Sequence, residues 1–192
     1  MKVFGVIGRN GSGKDEVVKY LQREYDVPFV SVGDMVREIA RRKGVSLTVE
    51  NLHRISKERI QKFGKEHFMD LVIKKIDQNG WQTAGITGVR TPEDVRHLKG
   101  SFNSDFILFH VYVSDPNLRY ERIQKRAKER DPQSYDQFLE QDRTEENLFR
   151  ISKAIEQADY SLDNDKSIEH LHGQTDRILA ERELLINKEE AK

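Results

Sequence analysis

The segment Gly8-Arg9-Asn10-Gly11-Ser12-Gly13-Lys14 sets glycines and a lysine at the spacing G-x-x-x-x-G-K. Glycines let a backbone curl until several N–H groups point inward, and a helix starting at the lysine adds its positive end. The ammonium of Lys14 adds a full charge. Those three features together suit the polyphosphate of a nucleoside triphosphate, so residues 8–14 are candidate nucleotide ligands. Asp15 follows where a Ser or Thr hydroxyl usually serves magnesium. A carboxylate can serve a hard cation directly or through water, which makes Asp15 a candidate metal ligand. At a helix start it is also a favourable first-turn charge, and both readings stay open.

Further along, Arg119, Arg122, Arg126 and Arg130 recur at intervals of three, four and four residues, so they cover one narrow face of a helix. Such a stripe is either a solvated face or an anion-binding one. Asp34 with Arg37, and Arg90 in Gly88-Val89-Arg90-Thr91-Pro92, are separate charged positions that each follow a strand.

The elements needed to hold these residues are legible in the hydrophobic pattern. Apolar runs predict strands over 3–7, 28–32, 81–87, 105–113 and 160–162. Helical spacing predicts helices over 14–25, 34–42, two within 48–79 broken near Gly64, 92–99, 116–130, 134–143, 145–157 and 167–187, with 188–192 fraying. Strands and helices alternate, which implies an α/β fold with a parallel sheet of about five strands covered on both faces. In such sheets ligands lie at the carboxyl ends of the strands, which gathers residues 8–14, 33–37 and Arg90 around one cleft.

The 192 residues fit one domain. Lys plus Arg and Asp plus Glu both number 33, so there is no net field of the kind a dedicated nucleic-acid binder carries. No cysteine is present, which excludes disulfides and thiolate chemistry and points to a cytoplasmic address. No apolar stretch approaches the about 20 residues needed to span a bilayer, so no membrane partner is expected. The six histidines show no ligand spacing.

Gly33-Asp34-Met35-Val36-Arg37 and Gly88-Val89-Arg90-Thr91-Pro92, in their order after the glycine loop, resemble the acceptor motifs of the adenylate-kinase-like P-loop kinases. Ala158-Asp159-Tyr160-Ser161-Leu162-Asp163-Asn164 resembles the segment of dephospho-coenzyme A kinases where a turn borders the nucleotide base, although Asn164 also suits an ordinary turn. The resemblance spans roughly residues 3–180 and implies a P-loop three-layer sandwich, an acceptor-binding helical insert over about 33–80 and a lid over about 119–145. It implies that ATP and Mg2+ are used, that Arg37 and Arg90 hold an acceptor phosphate, and that Arg122, Arg126 and Arg143 close over the phosphates. Many members carry an aspartate before the glycine at position 88, where this chain has Thr87. With Asp15, that suggests an exchange of carboxylate and hydroxyl between loop and strand in the magnesium site.

The acceptor implied is a nucleoside or deoxynucleoside monophosphate, which needs no general base because its oxygen is already anionic. A hydroxyl acceptor such as dephospho-coenzyme A would need a carboxylate, and Asp34 is placed for that work. A nucleotide-binding switch or regulatory ATPase is the reading from a different class. The residues leave the oligomeric state open.

Overall fold

The computed structural model describes residues 1–126 and 131–184. Its elements run β1 (Lys2–Ile7), α1 (Lys14–Tyr25), β2 (Phe29–Ser31), α2 (Val32–Arg42), α3 (Val49–Phe63), α4 (His67–Asn79), β3 (Thr83–Thr87) and α5 (Pro92–Phe102). After a 3-10 turn (Asn103–Asp105) come β4 (Phe106–Tyr112), α6 (Pro116–Arg126), α7 (Tyr135–Phe149), α8 (Ile151–Ile155), β5 (Tyr160–Asp163) and α9 (Ile168–Glu181). The five strands pair in the order β2-β3-β1-β4-β5, all parallel.

Alternation along β1 divides the core. Val3 and Ile7 join Val30, Ile86 and Leu108 with helices α2 to α5 and α8 on one face, while Phe4 and Val6 join Val17, Leu21, Phe109 and Leu171 with α1 and α9 on the other. Helices therefore cover both faces, as expected of βαβ connectivity. The registers Val6 to Thr87, Ser31 to Thr87, Ile7 to His110 and Tyr112 to Asp163 bring the carboxyl ends of all five strands to one edge. The glycine loop, the start of α2, Gly88 to Pro92 and Asn164 all leave the sheet along that edge.

Two helix boundaries differ most from the sequence expectation. The break expected at residue 144 lies instead at Arg150, which takes φ 52, and α7 is continuous through Thr144. The cause is Glu146: its carboxylate accepts from the backbone N–H of Ser152, capping α8 and turning Ile151 and Ala154 into the first core. The closing helix, expected to reach 187, ends at Glu181. Glu183 takes φ 50, its N–H donates to Ala180 O, and Leu184 N–H donates to Leu179 O. This reversal folds Leu184 into the second core. The expected helix over 116–130 is observed through Arg126, and Arg130 lies outside the described residues.

Candidate functional site

β1 delivers the chain to a buried Gly8, and α1 begins at Lys14. Between them the backbone is too crowded for side chains at the glycines. A Cβ on Gly8 would lie 2.4 Å from Val111 O, and one on Gly13, where φ is +91, would lie 2.1 Å from Asn164 Nδ2. The turn closes through Ser12 N–H to Arg9 O at 3.1 Å. Gly13 caps α1 with no side-chain hydrogen bond, so the first N–H groups of that helix have no side-chain cap to satisfy them. Ser12 is 1% exposed and its Oγ has no hydrogen-bond partner among the described residues.

Lys14 stands at the mouth of this loop with its Nζ 3.5 Å from Arg9 O. Desolvation holds its pKa below the ordinary lysine value, and the nearby charges of Arg90 and Arg126 push the same way against Asp15 and Glu145. Burial rather than its charged neighbours is what holds this ammonium at a cost. The orphaned Ser12 hydroxyl, the uncapped amides and this cation fit a polyphosphate. Asp15, exposed in the first turn of α1, and Thr87, the last residue of β3, are donors of a kind that suits magnesium directly or through water. Among the described residues, no cluster of three or more His, Cys, Asp or Glu forms a protein-only metal site.

Arg90 approaches from the loop after β3. Asp94 accepts from the N–H groups of Arg90 and Thr91 at 3.1 and 2.9 Å in the capping box of α5, which orients the segment. The Arg90 guanidinium lies 5.0 Å over the ring of Phe149 and has no acidic partner among the described residues. Arg37, by contrast, is engaged: its Nε and Nη2 both donate to Asp34 Oδ1, at 3.1 and 2.5 Å. That bond, with help from Ser31, which caps α2, holds the Asp34 carboxyl below its usual range against some desolvation.

The arginine stripe on α6 divides by partner. Arg126 grips Asp131 through Nε and Nη2 at 2.9 and 2.7 Å and reaches Asn10 Oδ1 at 3.1 Å. Arg122 has a buried Nη1 with no hydrogen-bond partner among the described residues, and its charge is felt by Asp165 beside Asn164. Arg119 is a structural bolt: it donates to Asn10 O at 3.1 Å and spans both oxygens of Asp142 on α7. Arg143, the neighbour of Asp142, is exposed and makes no hydrogen bond or ion pair among the described residues. On the other flank Arg9 donates to Glu146 at 2.7 Å and to Ser152 Oγ at 2.9 Å.

Lys14, Asp15, Arg90, Arg126, Asn10 and Asn164 thus meet around one loop, whereas Arg143 stands apart and Arg37 is neutralised by Asp34. Sequence reasoning missed Asp142, Glu146, Glu145, Phe149 and His53. Glu145 and Phe149 fall one helical turn apart within the expected helix over 145–157, but nothing in the local sequence connects that face to His53 or to the glycine loop. Cavities of about 310 and 480 Å³ lie elsewhere, the first beside His97 and the second beside Tyr160, and neither includes a loop residue.

The parallel sheet, the glycine loop and the lysine at the helix start define a P-loop protein with the fold of the small P-loop kinases. Residues 7–138 match the family described as AAA domain. The chain belongs to the UPF0200 family of these P-loop proteins: it is 33% identical over 178 residues to a UPF0200 protein of Thermococcus kodakarensis, covering 92% of this chain and 95% of that one. A UPF0200 protein of Methanocaldococcus jannaschii is 32% identical over 194 residues, covering 100% and 95%. In fold the chain is similar to shikimate kinase from Bacteroides thetaiotaomicron, with a TM-score of 0.62 at 16% identity over 93% of this chain and 98% of that one. A gluconokinase from Sinorhizobium meliloti gives 0.57 at 12% identity over 95% and 96%. These structural likenesses show the fold of the small P-loop kinases, the broader of the two resemblances in the sequence, and none of the structures named here is a dephospho-coenzyme A kinase. Among the described residues no helix is long and apolar enough to cross a membrane.

Proposed function

We propose that this protein is an ATP- and Mg2+-dependent phosphotransferase whose acceptor is a nucleotide-type molecule carrying a phosphate, in first place a nucleoside or deoxynucleoside monophosphate. The observation that carries the reading is the meeting of Lys14, Arg90 and Arg126 around the uncapped amino end of α1. Lys14 and the loop amides would hold the β- and γ-phosphates, and Asp15 with Thr87 would hold magnesium, which supplies charge neutralisation on those oxygens. Arg90, which has no acidic partner among the described residues, would be a cation available to an acceptor phosphate. Arg122 and Arg126 approach from the lid side, where released positive charge stabilises the equatorial oxygens during transfer. The acceptor oxygen bonds to the γ-phosphorus as the bridge to ADP breaks, and an anionic oxygen needs no base.

A hydroxyl acceptor, as in a dephospho-coenzyme A kinase or in the shikimate kinase and gluconokinase that share the fold, is the second reading. Asp34, in the first turn of α2, is the carboxylate that would serve such an acceptor as base. Its ion pair with Arg37 disfavours this reading, because a carboxyl held low is a weak proton acceptor.

The deciding experiment incubates the protein with ATP and Mg2+ and a panel of nucleoside and deoxynucleoside monophosphates, dephospho-coenzyme A, shikimate and gluconate, and follows both products. Nucleoside diphosphate formation supports the reading. Phosphorylation confined to hydroxyl acceptors selects the alternative, and phosphate release with no acceptor product indicates a regulatory ATPase.

A further inference from the structure

One wall of the cleft does no work in gripping the triphosphate. Phe149, the last residue of α7, is half-buried, and the His53 ring of α3 meets its ring at 6.1 Å with planes 76° apart. Arg90 lies 5.0 Å over the same ring. Glu145 sits four residues before Phe149, one turn back on the same helix face. Its charge reaches both Lys14 and His53, so it faces the cleft, and it makes no hydrogen bond or ion pair among the described residues.

Each component has a recognised partner in nucleotide chemistry. Aromatic rings and guanidinium planes hold unstacked bases by stacking, which tolerates any base. A carboxylate accepts only, so it selects a ring edge that donates, such as an exocyclic amine, and repels a carbonyl oxygen. The wall lies beside Arg90, which has no acidic partner among the described residues, and is joined to it through Phe149. An anionic group on Arg90 therefore brings whatever is attached to it against Phe149 and His53.

We propose that the acceptor is a nucleoside monophosphate whose base bears an exocyclic amine, with the base packed on the Phe149 and His53 wall, the amine donating to Glu145 and the phosphate on Arg90. This rests on the phosphotransferase reading and adds to it three residues, His53, Glu145 and Phe149, from two helices that sequence alone does not connect. Arg90 serves both halves of the acceptor. It binds the phosphate, and its plane extends the surface that Phe149 offers to the ring.

The test is calorimetric titration in the presence of magnesium and a non-hydrolysable ATP analogue, using two pairs that differ at the amine, AMP with IMP and CMP with UMP, and ribose 5-phosphate, which has no base. The unmodified protein is expected to prefer the amine-bearing member of at least one pair by about tenfold. Phe149→Leu keeps apolar bulk and loses the ring, and is expected to weaken that monophosphate by about tenfold while leaving ribose 5-phosphate unchanged. Glu145→Gln is expected to abolish the preference within the pair. Affinity for the ATP analogue and the melting temperature report that each variant is folded. Equal affinity within both pairs overturns the proposal, as does a Phe149→Leu effect equal for monophosphate and ribose 5-phosphate, which would mean that the ring acts only through Arg90. If the unmodified protein binds the ATP analogue and no monophosphate, the phosphate-acceptor reading itself fails, and that outcome is distinct from loss of base selectivity alone.

Discussion

The side-chain amide of Asn164 donates to the carbonyl of Ser12 at 2.8 Å, joining the turn after β5 to the phosphate loop across 152 positions of sequence. Its own backbone N–H is held by Tyr112 O at 2.9 Å, and its Nδ2 stands where a side chain on Gly13 would have to go. Asn164 is buried and braces the loop from behind, so the order of the loop depends on the far end of the sheet.

It follows that Asn164→Ala weakens every ligand that uses the loop, by about tenfold, since a buried hydrogen bond left half-made costs about 1–3 kcal/mol. ATP, GTP and inorganic tripolyphosphate should all lose affinity alike in titrations. A change confined to the choice between ATP and GTP would show instead that Asn164 contacts the base.

Arg119 and Asp142 form an ion pair whose side chains are 6% and 14% exposed, and Arg119 also holds Asn10 O. Removing one partner strands the other charge, so Asp142→Ala should lower stability by about 3–5 kcal/mol in denaturant unfolding. Replacing both residues with apolar ones of similar size should recover most of that loss. If Asp142→Ala unfolds at the same denaturant concentration as the parent protein, the pair carries no such weight.

The sheet, the phosphate loop and the order of the elements were readable because each depends on local pattern: β1 is an unbroken apolar run, and Gly8 to Lys14 is contiguous. What could not be read depends on pairing across the fold. Arg119 belongs to a stripe that the sequence leaves open as solvated or anion-binding, and only the position of α7 reveals that Asp142 takes its charge. Arg37 and Asp34 are three residues apart, yet the helix rather than the spacing decides that they bond to each other. Phe149 and His53 meet from helices separated by much of the chain, and neither carries a local signal.

Three histidines are held neutral by burial: His53, with Arg90 adding to the effect; His67, with Arg59; and His110, with Arg9. Their pKa values lie below the ordinary 6.5, so below that pH the unfolded chain binds more protons than the folded one. Stability should therefore be full above about pH 6.5 and fall on acidification toward each depressed value. Depressed carboxyls such as Glu146 and Asp165 act in the same sense, in a lower window below the usual carboxylate range. Melting temperatures measured from pH 8 to 5 should decline through the upper window, and His110→Asn should flatten that decline. A flat profile between pH 7 and 5 in the parent protein would contradict the assignment.

Lys14 offers a test with two opposite outcomes in one variant. Its ammonium is desolvated, a cost that Asp15 and Glu145 offset only in part while Arg90 and Arg126 add to it, so in the protein without nucleotide it is a charge held at a cost. Lys14→Met removes that charge and keeps the stem, which should stabilise the free protein by about 0.5–2 kcal/mol, and each kcal/mol is worth about 2–4 °C in melting temperature for a chain of this size. The same change removes the cation that meets the terminal phosphates, so phosphoryl transfer should fall by about 10²–10³-fold. Magnesium-ATP should then raise the melting temperature less than it does in the parent protein. Loss of transfer together with a lower melting temperature would mean that Lys14 serves the fold, whereas the opposed pair of changes marks a residue whose strain is relieved only by the triphosphate.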